Sequence, residues 1–181
     1  MRLADAADRI NEAGAEVIAI SVDDEQRQGG MRARWRLTEQ TLVADPGGTS
    51  FLADLGLYDP EERDGVALPG LLVISPNGDE VYRYQGRDFA DRTTDHEMFE
   101  ALDALGLDPG PPSPGGPDVA VPEDLRGFFP TDMVGPYFRG NMFGALAISR
   151  RLGDEDAIAV AVAHRDMARD TIAAWERVSG S

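Results

Sequence analysis

Few residues of this chain could carry covalent chemistry, and none stands in a working constellation. Cysteine is absent, which excludes disulfides, thiolate metal ligands and a thiol nucleophile supplied by these residues. The two histidines, His96 and His164, lie far apart without a clustered carboxylate, so neither reads as a metal ligand. His96 falls in the first turn of an expected helix, where a protonated ring would oppose the dipole; it reads as a neutral surface residue. His164, beside Asp166, reads as structural or solvent-facing. Asp23-Asp24-Glu25 lacks the glycine and the alternating ligands of a calcium loop and suits the start of a helix instead. Asp45-Pro46-Gly47-Gly48 has no following Lys-Ser/Thr, so it is a turn and not a phosphate cradle. No serine sits in a nucleophile elbow. The sequence therefore predicts no catalytic residue, no cofactor and no metal.

The elements that would position any site follow from hydrophobic periodicity. Residues 2 to 13 predict a helix with Leu3, Ala6, Ala7 and Ile10 on one face, stopped by Gly14. The apolar run from Val17 to Val22 predicts a buried, parallel strand at 16–22. A second helix follows to about Leu37, with Met31 and Trp35 as its core stripe; its Gly29-Gly30 pair weakens it by about 1 kcal/mol per residue relative to Ala. Residues 41 to 44 predict a strand. A third helix should then turn Phe51, Leu52 and Leu55 inward, before a polar loop at 58–65. Leu71-Leu72-Val73-Ile74 reads as a central strand, and Ser75-Pro76-Asn77-Gly78 as the turn into an antiparallel partner. Thr94-Asp95-His96-Glu97 has the form of a capping box, with Thr94 at the cap, before a helix carrying Met98, Leu102 and Leu105.

Between Gly106 and Pro122, six of seventeen residues are Pro and four are Gly. That composition predicts an extended linker, residues 106–122, between an α/β domain (1–105) and a C-terminal unit (123–181). The latter reads as a helical hairpin. Phe138, Met142, Ala145, Leu146 and Ser149 mark one helix, Gly153 ends it, and Asp154 caps a second helix that presents Ala161, Ala168, Ile172 and Trp175. A hairpin alone is too small to bury a core, so it must pack on the first domain or on another copy. Tyr137, Phe138 and Phe143 are expected to cover sheet surface.

The 181 residues are ordinary for a globular chain, 42% hydrophobic and 28% charged. No run of eighteen apolar residues occurs, so no membrane span is expected. No segment resembles a secretory signal, which points to the cytoplasm. The net charge of −16 repels phosphate backbones, so nucleic acid is not an expected partner. All 17 basic residues are Arg, as a GC-rich genome or bidentate pairing on an acidic surface would produce.

Several stretches resemble the redoxin family of alkyl hydroperoxide reductases and thiol-specific antioxidants. Gly14-Ala15-Glu16-Val17-Ile18-Ala19-Ile20-Ser21, followed by Asp23, is similar to that family's second strand. Leu42-Val43-Ala44-Asp45-Pro46 is similar to its next strand end. Leu68-Pro69-Gly70-Leu71-Leu72-Val73-Ile74-Ser75-Pro76-Asn77-Gly78 resembles its proline loop, central strand and hairpin. Gly86-Arg87-Asp88-Phe89-Ala90-Asp91-Arg92 matches a phrase found after the last strand in peroxiredoxin-like members. The resemblance implies an α/β fold: a thioredoxin-like sheet flanked by helices, N-terminally incomplete, and here followed by the helical hairpin.

It also implies an ancestral role as a thiol-dependent antioxidant oxidoreductase, and departures from the family pattern then bear on function. The family's thiol, which a helix N-terminus holds as thiolate, would fall roughly a dozen residues before Met1. The strand preceding it would lie between the strands at 16–22 and 71–75. Without that strand both would show open edges, and a split sheet is expected with Val17, Ile18, Ile20, Leu72 and Ile74 facing helices. The positions where many peroxiredoxins carry a peroxide-polarising Arg hold Leu68 and Pro69. What remains is a candidate groove at Leu68, Pro69 and Gly70, where the family has a cis proline; the alternative is that Pro69 only shapes the start of its strand. Three readings stay open: a redoxin-family member without its redox cysteine, a cysteine-free binding module whose partner is another protein or a second copy, and a structural fragment.

Overall fold

Alternating apolar runs and glycine-punctuated helices build a mixed α/β molecule in this computed structural model, which describes residues 2–35, 37–62, 65–86, 91–92, 95–111 and 130–180. The first predicted helix is two short ones, α1 (Arg2–Asp5) and α2 (Ala7–Glu12). Gly14 ends the segment at φ +72°. A side chain there would strike Leu107 and the carbonyl of Asp108, so glycine is required twice over, by its dihedral and by the close approach. Strand β1 (Ile18–Ser21), helix α3 (Glu25–Trp35) and strand β2 (Thr41–Ala44) form a parallel βαβ unit, registering Ile18 with Thr41 and Ser21 with Ala44.

Helix α3 buries Gln28, Gly29 and Gly30, and Met31 and Trp35 are only half-buried. This corrects the expected stripe. The glycines lack side chains, so the helix backbone comes close to the sheet. Gln28 uses that closeness to donate from Nε2 to the carbonyl of Val43 (2.7 Å) and to Ser21 Oγ (3.0 Å).

Residues 49–56 are consecutive turns, not the expected helix. The reason is Asp45, fully buried, whose carboxylate accepts from the backbone N–H groups of Ser50 (3.0 Å), Phe51 (2.9 Å) and Leu52 (2.9 Å). The bonds wrap the chain around one side chain. Leu52 is buried, but Phe51 points out. The segment expected to be a polar loop, 58–65, opens with a short strand, β3 (Tyr58–Asp59), which pairs antiparallel with β4 (Val66–Ala67) just beyond it.

Strand β5 (Gly70–Ile74) pairs antiparallel with β6 (Glu80–Gln85) across the predicted turn, where Gly78 has φ +90°. Helix α4 (His96–Leu105) starts from Asp95, itself in the left-handed region at φ +69°. Thr94, the expected cap, lies outside the described residues, as do 87–90 of the family-like phrase. Ile10, Val73, Met98, Phe99 and Leu102 form the core, with Leu3, Val17 and Leu71 against it. Of the expected linker, 106–111 has neither helix nor strand, and Gly110 N–H donates to the carbonyl of Asn11 (3.1 Å); 112–122 lies outside the described residues.

A 3₁₀ turn (Thr131–Met133) leads into α5 (Val134–Ser149), and α6 (Glu155–Ser179) returns along it as a hairpin. Asp154 Oδ1 accepts from Ala157 N–H at 2.8 Å, the predicted cap. Helix α6 packs through Met167, Ala168, Thr171 and Ala174. The hairpin also docks on the α/β part: Arg177 pairs with Asp5, and Trp35 and Trp175 have ring centroids 5.0 Å apart. Phe143 is 61% exposed and does not cover sheet surface; it sits on the outer side of the hairpin. Among the described residues no helix is long and apolar enough to cross a membrane.

Candidate binding cleft

The strands form three separate two-stranded sheets, β1–β2, β3–β4 and β5–β6, so among the described residues β1 and β5 are each paired on one edge only. Hydrogen-bond phase identifies which groups are left over. Thr41 N–H donates to the carbonyl of Val17 and Asp45 N–H to that of Ser21. Odd-numbered residues of β1 therefore face β2, and because backbone groups alternate along a strand, Ile18 and Ile20 turn theirs to the open edge. Gly86 N–H donates to the carbonyl of Pro69 (2.7 Å) within the β5–β6 register. The same alternation leaves Gly70 and Leu72 of β5 on the open side.

Both open edges line one cleft of about 910 Å³. Its inner wall includes Ile10, Met98 and Leu102, and Leu52 and Leu57 close another side. Ile18 (55% exposed) and Ile74 (50% exposed) stand on its rim. Both were expected beneath helices; among the described residues no strand lies between β1 and β5, and both side chains stay exposed.

Leu68, Pro69 and Gly70 all line this cleft. Pro69 is buried, and the Leu68–Pro69 peptide is trans, which corrects the cis proline implied by the resemblance. The loop is fixed instead by backbone bonds: Leu68 N–H to the carbonyl of Leu57 (2.8 Å), and Pro69's carbonyl to Gly86. A side chain at Gly70 would run into Leu57. These residues shape one end of the cleft and offer no reactive group.

His96 and His164 are not brought together. His96 lies on the surface 3.1 Å from Glu100, and His164 Nε2 is 3.2 Å from Asn141 Oδ1. Among the described residues no three His, Asp or Glu side chains cluster as metal ligands. A second, shallower cavity of about 1320 Å³ is lined by Tyr84, Asp91, Asn141 and His164. There the Tyr84 hydroxyl donates to Asp91 (2.6 Å), and burial together with that bond pushes its pKa well above the ordinary phenol value, so it stays protonated.

Two buried carboxylates were not apparent from sequence. Burial alone would raise the Asp45 pKa, but the N–H groups of Leu52, Ser50 and Phe51 outweigh it and hold the carboxyl below its usual range. Asp95 accepts from Arg2 Nη2 at 2.9 Å. Its burial raises the carboxyl despite the Arg2 charge, and burial lowers the Arg2 guanidinium. Asp45 had a signal: an acid at a strand end before Pro-Gly-Gly is placed to accept from the following turn. Asp95 had none, because its partner is 93 residues away.

Comparison with family models, characterised proteins and solved structures found no match.

Proposed function

We propose that this chain is a redoxin-related, thioredoxin-like module that performs no thiol chemistry itself and works by binding another protein. The motif order from Gly14 to Arg92 supports the ancestry, as do the parallel β1–α3–β2 unit, the β5–β6 hairpin and α4 behind it. The observation that carries the functional half is the pair of open strand edges facing one apolar cleft in a chain without cysteine. A redoxin site needs a thiolate at a helix N-terminus, and no residue here substitutes for it. A binding module needs only unsatisfied backbone groups and apolar area, both of which the cleft offers. The same reading places the protein in the cytoplasm.

The test is a pair of assays on the purified 181-residue chain, thiol-dependent consumption of hydrogen peroxide and reduction of a disulfide substrate. Both should stay at background. Turnover that disappears on denaturing the protein would overturn the functional reading. The ancestry is tested by an experimental structure, in which β1 and β5 should remain unpaired with each other and share α2 and α4 on one face. Direct β1–β5 pairing would sink it.

A further inference from the structure

Resting on the reading of the chain as a binding module, we infer that the cleft takes a single extended segment of a partner protein, hydrogen-bonded on both sides as a strand between β1 and β5, with an uncharged apolar stretch of about five residues and basic residues flanking it. Three observations carry this. The first is backbone chemistry. Ile18 and Ile20 on one side, and Gly70 and Leu72 on the other, present N–H and C=O groups to the same space. An added strand satisfies both rows at once, whereas a helix, with its own groups already bonded, satisfies neither.

The second is the wall. A strand in this position turns alternate side chains to the core residues Ile10, Met98 and Leu102, and the others toward Ile18 and Ile74 on the rim. The inward set meets the buried core and the outward set lies beside the exposed apolar side chains of Ile18 and Ile74, so apolar residues gain contact on both faces. β1 and β5 span four and five residues, which sets the length of the match. The third is charge. Glu16 and Asp23 bracket the β1 edge along the cleft, Asp23 also 3.7 Å from Arg27, against one arginine, Arg92, in the cleft lining, and the chain as a whole carries −16. That field repels a second copy and attracts a basic segment.

The probe is a synthetic fluorescent peptide of five valine and isoleucine residues flanked by two lysines at each end, titrated into the full chain at low salt. Saturable binding is expected. Amide hydrogen exchange should then show new protection at Ile18, Ile20, Gly70 and Leu72, while Ala19, Ser21 and Val73, already bonded to β2 and β6, change little. N-methylating alternate peptide amides should abolish binding, and replacing the flanking lysines by glutamates should weaken it at least tenfold. Ile18→Lys, at an exposed rim position that folding tolerates, should also weaken the lysine-flanked peptide at least tenfold. Protection on one edge only, on neither, or equal binding of the N-methylated peptide overturns the proposal. Concentration-dependent dimerisation that protects the same amides without peptide assigns the cleft to a second copy and overturns it too. Absence of peptide binding with both thiol assays at background defeats this inference alone; thiol turnover defeats the reading beneath it.

Discussion

In the β1–β2 sheet the groups that fix the strands to their surroundings are polar. Gln28 reaches from α3 to the carbonyl of Val43, Ser21 accepts from the same amide, and Asp45 gathers three N–H groups at the end of β2. In the β5–β6 sheet they are apolar: Val73 lies among Met98, Phe99 and Leu102 of α4, with Ile10 of α2 alongside. One sheet is held by directional bonds to a glycine-backed helix, the other by non-directional burial. The cleft lies where the two meet, bridged at its base by Val17, just before β1, which packs on the apolar cluster. Each sheet is thus stabilised on the side away from the other, which lets the space between them stay open in a folded molecule.

The apolar half should be the more sensitive to substitution. Leu102→Ala removes a buried side chain from the centre of the cluster and is expected to cost about 2–5 kcal/mol in urea denaturation. If it costs less than the polar substitutions below, the contrast between the sheets fails. Asp45→Asn comes next, because an amide cannot replace a carboxylate that accepts three N–H bonds. Its effect carries a pH signature. The folded carboxyl titrates below its unfolded value, so its contribution is fully present above roughly pH 4 and is lost as pH falls through the folded pKa. The stability gap between the native chain and Asp45→Asn should therefore be constant near neutrality and narrow in acid; a gap that widens in acid would contradict the bonding.

Gln28→Ala removes two hydrogen bonds and should cost about 1–3 kcal/mol, with faster exchange in β1 and β2 and little change in β5 and β6. Equal loosening of both sheets would show that they are coupled through the core more tightly than the split implies. The smallest effect belongs to Arg9→Gln. Arg9 lies 3.8 Å from the Phe99 ring centroid and 3.4 Å from Asp103, with both charged partners exposed. Its loss should cost under about 1 kcal/mol and less still in high salt. A larger, salt-dependent loss would mean that charge also holds the apolar half.

Local signals made most elements legible. Gly14, the Ser75–Gly78 turn and the Asp154 cap each act within a few residues, and all are used as read. Residues 49–56 depart from the expected helix because the helical spacing of Phe51, Leu52 and Leu55 is overridden by an acceptor outside that window, Asp45. The α3 stripe differs from its periodicity because spacing favours the largest side chains for burial, whereas packing on the sheet buries Gln28, Gly29 and Gly30. The split between β1 and β5 followed from the resemblance, but which edge groups face the gap depends on hydrogen-bond phase, which sequence does not carry. Leu68, Pro69 and Gly70 do border the cleft, yet the trans peptide gives them a shaping role, and the wider rim at Ile18 and Ile74 was expected to be covered.

The paired indoles, tilted 58° to one another, have an experimental consequence. Trp35 and Trp175 are the only two tryptophans in the chain, and they touch across the seam between α3 and the hairpin. At that separation their electronic transitions couple, so circular dichroism should contain an exciton couplet that belongs to the seam alone. The couplet disappears when α6 lifts away, even if every helix stays intact. Followed beside the helical signal during heating, it tells whether the hairpin leaves first or the whole molecule melts in one step, without a label at any position.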